Sequence, residues 1–257
     1  MRFFDCTTFF CEFELLKLRC EELKALNPIH VLVEAAHTHT GYPKPFNFEA
    51  RKHEFSQYNI RYIKVLEFPP NGGDPWKNEN FQRDAIMQGL YDASDDDIVY
   101  IGDLDEIPRK EAISYYDPRM GIAGLNMDKY SCYLNLLEGI QIWNVPRLCT
   151  YGILKETTPN KLRNAGPNFI INYAGWHMSF MGGLDKMREK LFAYAHTESL
   201  NSNLLDNLEY KYEHGQSLWG DDFWKFVKIN STFPKYLQEN QHEFKHLLSD
   251  GTLLSKP

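Results

Sequence analysis

Apolar and polar positions along this chain alternate between short β-rich apolar runs and amphipathic stretches of helical period. Leu15, Leu16, Leu18, Leu23 and Leu26 fall largely on one stripe, with Lys17, Arg19, Glu21, Glu22 and Lys24 among them. That pattern predicts a helix from Glu12 to Leu26, ended by Asn27-Pro28. Ile29 to Val33 predicts a strand with Glu34 at its carboxyl end, and the following residues 36–45 are too rich in Gly and Pro for regular structure. Ile60 to Phe68 predicts a second strand, and Trp76 to Tyr91 a helix with Phe81, Ile86, Met87 and Leu90 inward. Ile98 to Ile101 is an uninterrupted apolar run, the pattern of a strand buried on both faces. Asp5 to Phe10 is short and mixed and is assigned no element. Strand, helix and buried strand in that order make the βαβ pattern of a parallel sheet.

Beyond Pro108 the pattern is more aromatic and less regular. Lys110 to Tyr116 predicts a short helix, and Gly121 to Met127, Lys129 to Leu137 and Trp143 to Tyr151 predict strands. Phe169 to Tyr173 predicts another strand, leading into a glycine-bounded loop from Gly175 to Gly183. Helices are expected over Asp185 to Ala195 and Leu204 to His214, the latter ended by Gly215. No linker, repeat or low-complexity tract interrupts the chain. The expectation is one α/β domain with a mixed, mainly parallel central sheet flanked by helices.

Composition narrows the function classes. With 257 residues, 43% of them hydrophobic, the chain can bury a sizeable core. A net charge of −7 argues against a nucleic-acid surface, and an anionic ligand needs local cations to overcome it. Cys6, Cys11, Cys20, Cys132 and Cys149 form no Cys-x-x-Cys pair, which disfavours zinc and a disulfide framework and points to reduced thiols. Neither a 20-residue apolar run nor a leader pattern is present, so a soluble, cytoplasmic chain without an integral membrane segment is expected.

The chemistry centres on Asp103 and Asp105, two residues apart beyond the buried strand and ahead of Pro108. In extended backbone such residues face one side, and the crevice beyond strand ends is where open α/β sheets bind ligands. Together the two carboxylates suit a hard divalent cation. An Asp-x-Asp alone is more often an acidic capping loop; the buried strand before it and the proline after it reverse that preference in favour of the metal. Trp176-His177 lies between glycines, and with a metal site proposed His177 becomes a third ligand. Glu34, Thr38 and Lys44 suit ribose and phosphate recognition, or Glu34 simply caps the next turn. Arg83 can reach a phosphate or stand on a solvated face. Asp221 and Asp222 stand among Trp219 and Trp224, a combination that suits a sugar, or they cap the next helix.

Taken together, the chain resembles glycosyltransferase family 17. The matching pieces run from Phe13-Glu14-Leu15-Leu16 to Pro234-Lys235-Tyr236-Leu237. They include Val33-Glu34 with Thr38, Gly41-Tyr42-Pro43-Lys44-Pro45, Arg83, Asp103-Leu104-Asp105-Glu106-Ile107-Pro108, Gly175-Trp176-His177 and Lys190-Leu191. The resemblance implies a GT-A, Rossmann-like fold, a nucleotide-sugar donor such as a UDP-sugar, a divalent cation (Mn2+ or Mg2+) and inversion at the anomeric carbon. Residues 1–108 would then bind the donor, best read as carrying N-acetylglucosamine, and 109–257 a glycan acceptor. Asp105, Asp103 and His177 would hold the metal, and Glu34, Thr38, Lys44, Arg83, Asp103 and Trp176 would contact the donor. Asp222 is the expected general base, with Asp221 and Asp185 behind it. The rival readings are a metal-dependent nucleotidyl or phosphoryl transferase, for which no phosphate-cradling glycine loop is present, and a catalytically inactive carbohydrate-binding module.

Overall fold

The strand at the centre of the parallel half is one the pattern does not predict. In the computed structural model, which describes residues 1–70, 72–220 and 222–251, β1 (Phe3–Phe9) lies between β2 (Ile29–Ala35) and β4 (Ile98–Ile101). It pairs in parallel with both, and β3 (Ile60–Val65) continues in parallel beyond β2. A charged residue survives at the centre of this sheet because its charge is matched. Asp5 is fully buried, Arg19 donates to it at 2.5 Å from Nη2, and His30 Nδ1 lies 2.7 Å away.

Each face of the parallel half is covered. Ile86 and Leu90, in the turn Ala85–Leu90 that continues helix Pro75–Asp84, pack with Phe4, Cys6, Val31, Val33, Val99 and Ile101. Helix Phe13–Leu23 covers the other face, where Phe13, Leu16 and Cys20 meet Phe9 and Leu32. Helix Pro75–Asp84 starts sharply: Pro75 opens it and the Asp74 carboxylate accepts from the Trp76 N–H.

Beyond β4 the sheet changes character. β5 (Glu106–Pro108), β6 (Ala123–Ser131), β7 (Leu136–Trp143), β8 (Arg147–Thr150), β9 (Phe169–Ser179) and β10 (Lys225–Phe226) extend it. The order is β10-β7-β6-β8-β4-β1-β2-β3, with β9 paired to β5 and β6. β8 runs antiparallel to β4 and β6, β7 antiparallel to β6, and β9 antiparallel to β5. The expected mainly parallel sheet is therefore corrected to a mixed one within a single α/β domain. The reason is connection length: crossover helices join β1 to β4, whereas β6 and β7 are joined by the four residues 132–135, which suffice only for a hairpin. That turn also splits the strand expected over Lys129 to Leu137. The five cysteines are free. Among the described residues no helix is long and apolar enough to cross a membrane.

Candidate active site

The chain turns after β4 at Gly102, where a Cβ would meet the Tyr100 hydroxyl at 2.5 Å, so the close approach requires glycine. The loop that follows is held from beneath by Arg19. Its Nη1 donates to the carbonyls of Asp103 (2.9 Å) and Glu106 (2.8 Å), while its Nε and Nη2 stay on Asp5. One buried guanidinium thereby fixes the backbone of Asp103 to Glu106 onto the central strand.

Asp103 and Asp105 enter one cavity of about 480 Å³ at the carboxyl edge of the parallel strands. They are not equivalent. Asp103 accepts from Arg83 Nη2 at 3.0 Å and from Arg163 Nη2 at 2.7 Å. Burial alone would raise its pKa, but Arg163 and Arg83 outweigh that and hold it below the ordinary carboxylate range. Arg163, on helix Pro159–Asn164, also grips both oxygens of the buried Glu106 at 2.7 Å. Asp105 accepts from Lys190 Nζ at 2.7 Å through Oδ2, while Oδ1 faces His177 Nε2 at 3.7 Å. Its pKa is also lowered: burial raises it, and Lys190 and His177 prevail.

His177 lies on β9, not in a loop. The strand continues through Gly175, where a Cβ would collide with the Ile107 carbonyl, so this glycine serves the close pairing of β9 with β5. The His177 ring stacks on Trp143 at 4.2 Å, and its Nδ1 is buried without a hydrogen-bond partner among the described residues. Burial lowers its pKa, which keeps the imidazole neutral and its Nε2 able to act as a ligand. Trp176 points the other way. It is buried in a core with Leu18, Ile107 and Met178, gives its indole N–H to the Thr232 carbonyl, and carries Arg109 3.9 Å over its ring.

The remaining expected residues divide. Thr38, Lys44 and Arg83 line the cavity. Glu34 does not: it is fully buried and accepts from the N–H groups of Asn47 and Phe48, the Tyr62 hydroxyl and Lys44. It is the anchor of the helix Asn47–Arg51, and it holds Lys44 at the cavity edge. Asp222 is exposed and outside the lining, and Asp185 is fully solvated on helix Leu184–Ala193. Asp221 lies outside the described residues. Trp219 and Trp224 do line the cavity, with Trp143. The sequence singled out neither Arg163 nor Glu138, and it marked Lys190 within the family resemblance without giving it a role. Lys190 stands in a recognised amphipathic helix, but nothing local says which partner it reaches.

Among the described residues, no group of three His, Cys, Asp or Glu side chains converges as metal ligands. The expected trio is split because two arginines hold Asp103. What remains is a pair, Asp105 Oδ1 and His177 Nε2, 3.7 Å apart at the cavity. That donor set fits a hard divalent cation that takes its other ligands from phosphate and water.

Three comparisons bear on identity. Residues 1–218 match the family model described as glycosyltransferase family 17. The β-1,4-mannosyl-glycoprotein 4-β-N-acetylglucosaminyltransferase of Rattus norvegicus is 29% identical over 208 residues, covering 66% of this chain and 38% of that protein. The Mus musculus protein of the same name is 28% identical over the same length and coverage. The chain thus spans well under half of these curated relatives. A solved structure, S. aureus TarS 1-349 in complex with UDP-GlcNAc, aligns with a TM-score of 0.46 at 12% identity, over 83% of this chain and 65% of that one. The family match covers most of the sequence, including the Asp103 to Pro108 loop, β9 and the helix that carries Lys190, and the chain belongs to glycosyltransferase family 17.

Proposed function

We propose that this chain transfers N-acetylglucosamine from UDP-GlcNAc to a glycan hydroxyl with inversion at the anomeric carbon. One observation carries the reading: a single cavity is lined both by Arg83, Lys190, Asp103 and Asp105 and by Trp143, Trp219 and Trp224. The first suits a nucleoside diphosphate, the second a pyranose. The donor sugar is taken from the names of the curated relatives.

In this reading the uridine end lies along the carboxyl end of β1 and the loops after β1 and β2, where Thr8, Phe10, Thr38 and Lys44 line the cavity. The diphosphate lies beside Arg83 and Lys190. Asp103 touches no ligand; it fixes Arg83 from one side and Arg163 from the other. Lys190, already aimed into the site by Asp105, is free to share its remaining protons with a phosphate oxygen. Asp105 and His177 would hold a divalent cation such as Mn2+, which supplies electrostatic stabilisation of the departing diphosphate. Arg83 and Lys190 act in the same sense without it, because charge grows on the β-phosphate oxygen as the bond to C1 breaks.

The test is release of UDP from a panel of nucleotide sugars with Mn2+ supplied. UDP-GlcNAc is expected to be hydrolysed slowly by water and faster when a mannose-containing N-glycan core is added. Turnover of none of the panel by folded protein overturns the transferase reading, and turnover confined to another sugar overturns the donor assignment.

A further inference from the structure

Five acidic side chains line the cavity among the described residues: Glu12, Glu79, Asp103, Asp105 and Glu138. Four are committed to cations at the diphosphate edge. Asp103 and Asp105 hold Arg83, Arg163 and Lys190; Glu79 pairs with Arg83 at 2.7 Å; Glu12 lies 3.5 Å from Lys190 and accepts from the Cys11 N–H. Glu138 pairs instead with a cation of its own hairpin. It stands on β7, and its two oxygens are held by one neighbour each on β6: Lys129 Nζ at 2.8 Å and Ser131 Oγ at 2.7 Å. Each carboxylate oxygen has a second lone pair, so the site retains capacity to accept from a substrate hydroxyl. Lys129 also lies 5.4 Å from the Trp143 ring centroid, Trp143 stacks on His177, and Lys129 is the register partner of His177 on β9. Trp219 and Trp224 line the same cavity.

Resting on the transferase reading above, we propose that Glu138 is the general base, the position that the sequence pattern assigns to Asp222. The acceptor O–H gives its proton to a Glu138 oxygen as the acceptor oxygen forms its bond to C1. The bond from C1 to the β-phosphate oxygen breaks, and its electron pair leaves with UDP. Lys129 and Ser131 are positioning residues: they hold the carboxylate in one rotamer, Lys129 as a charge and Ser131 as a hydroxyl donor. The aromatic faces around it restrict the approaching nucleophile to a sugar hydroxyl or, slowly, to water.

The experiment compares wild type, Glu138→Gln and Asp222→Asn for UDP release from UDP-GlcNAc and for UDP-GlcNAc affinity by calorimetry. Glu138→Gln is expected to lower UDP release by about 10²–10⁴-fold with affinity unchanged, the loss typical of a removed general base. Glu138→Asp is expected to recover part of that loss. Asp222→Asn is expected to match wild type in both measurements. Wild-type turnover in Glu138→Gln, or a loss of affinity in step with turnover, overturns the assignment, the second by showing a binding or structural role. A wild-type chain that releases no UDP fails differently: it overturns the transferase reading, and this assignment with it.

Discussion

The charged and the aromatic parts of the cavity lining are built on opposite principles. At the diphosphate edge nearly every side chain is charged and matched, and most are buried: Asp5 with Arg19, Asp103 with Arg83 and Arg163, Asp105 with Lys190, and Glu106 with Arg163. These groups come from helices and strands far apart in sequence, so the network also ties the fold together. On the aromatic side one hairpin supplies Lys129, Ser131 and Glu138, Trp143 joins the two regions by giving its indole N–H to Glu106 at 2.6 Å, and Trp219 is about half exposed. A ligand of fixed charge, a diphosphate, needs preorganised countercharges that are costly to misplace. A sugar needs faces and one accurate acceptor, which a hairpin and a few aromatic rings provide.

That contrast predicts unequal responses to substitution. The largest effect is expected at the base of the network. Arg19→Met leaves the Asp5 charge buried without its guanidinium and frees the Asp103 to Glu106 backbone, at a cost of about 3–5 kcal/mol in denaturant unfolding. The same network gives the pH dependence a sign. The Asp5 pKa is lowered in the folded protein, because Arg19 and His30 outweigh the burial that would raise it. Its contribution is therefore fully present above about pH 4, near the unfolded value, and is lost as pH falls toward the folded one. Acid titration of stability should show that loss in the wild type and a weaker one in Arg19→Met. A stable Arg19→Met would show that the network is ornamental and break the comparison.

Asp105→Asn should reduce UDP release by about 10²–10³-fold, the scale for losing one preorganised electrostatic contact. Restoration of its rate by excess Mn2+ would place the defect in metal affinity alone. Arg83→Ala should weaken UDP binding by about 1–3 kcal/mol in calorimetry, as expected for a charge-assisted hydrogen bond. Trp219→Ala sharpens the contrast with the smallest expected effect on the donor. UDP affinity should stay within about 0.5 kcal/mol of wild type, as for an exposed substitution, while the KM for a glycan acceptor rises. Equal loss of donor and acceptor affinity in that variant would mean the two parts are not separable.

How much of this was legible in the sequence follows from the same division. Asp103 and Asp105 were legible because the signal is local: an apolar run, a glycine and a proline bracket them. β1 was not, because Asp5, Thr7 and Thr8 break its apolar pattern, and the partner that permits Asp5 lies one helix away. Arg19 reads as one more charge on an amphipathic helix; only the tertiary fold turns it inward. Arg163 meets Asp103 across sixty residues, a distance no spacing rule covers. Glycines around Trp176-His177 suggested a loop, whereas Gly175 serves close strand pairing and alternation puts Trp176 in the core and His177 at the cavity. Aromatic neighbours made Asp222 attractive, but those neighbours turn to the cavity while the aspartate faces solvent. Glu138 carried no local signal, standing inside a strand of ordinary alternation.

The most direct measurement is a crystal structure of the protein with UDP-GlcNAc and Mn2+. The predicted result places the diphosphate within hydrogen-bond distance of Arg83 and Lys190, an ion between Asp105 and His177, and the sugar directed at the Trp143 and Glu138 wall. A nucleotide bound elsewhere, or a sugar ring turned away from Glu138 toward solvent, would contradict it.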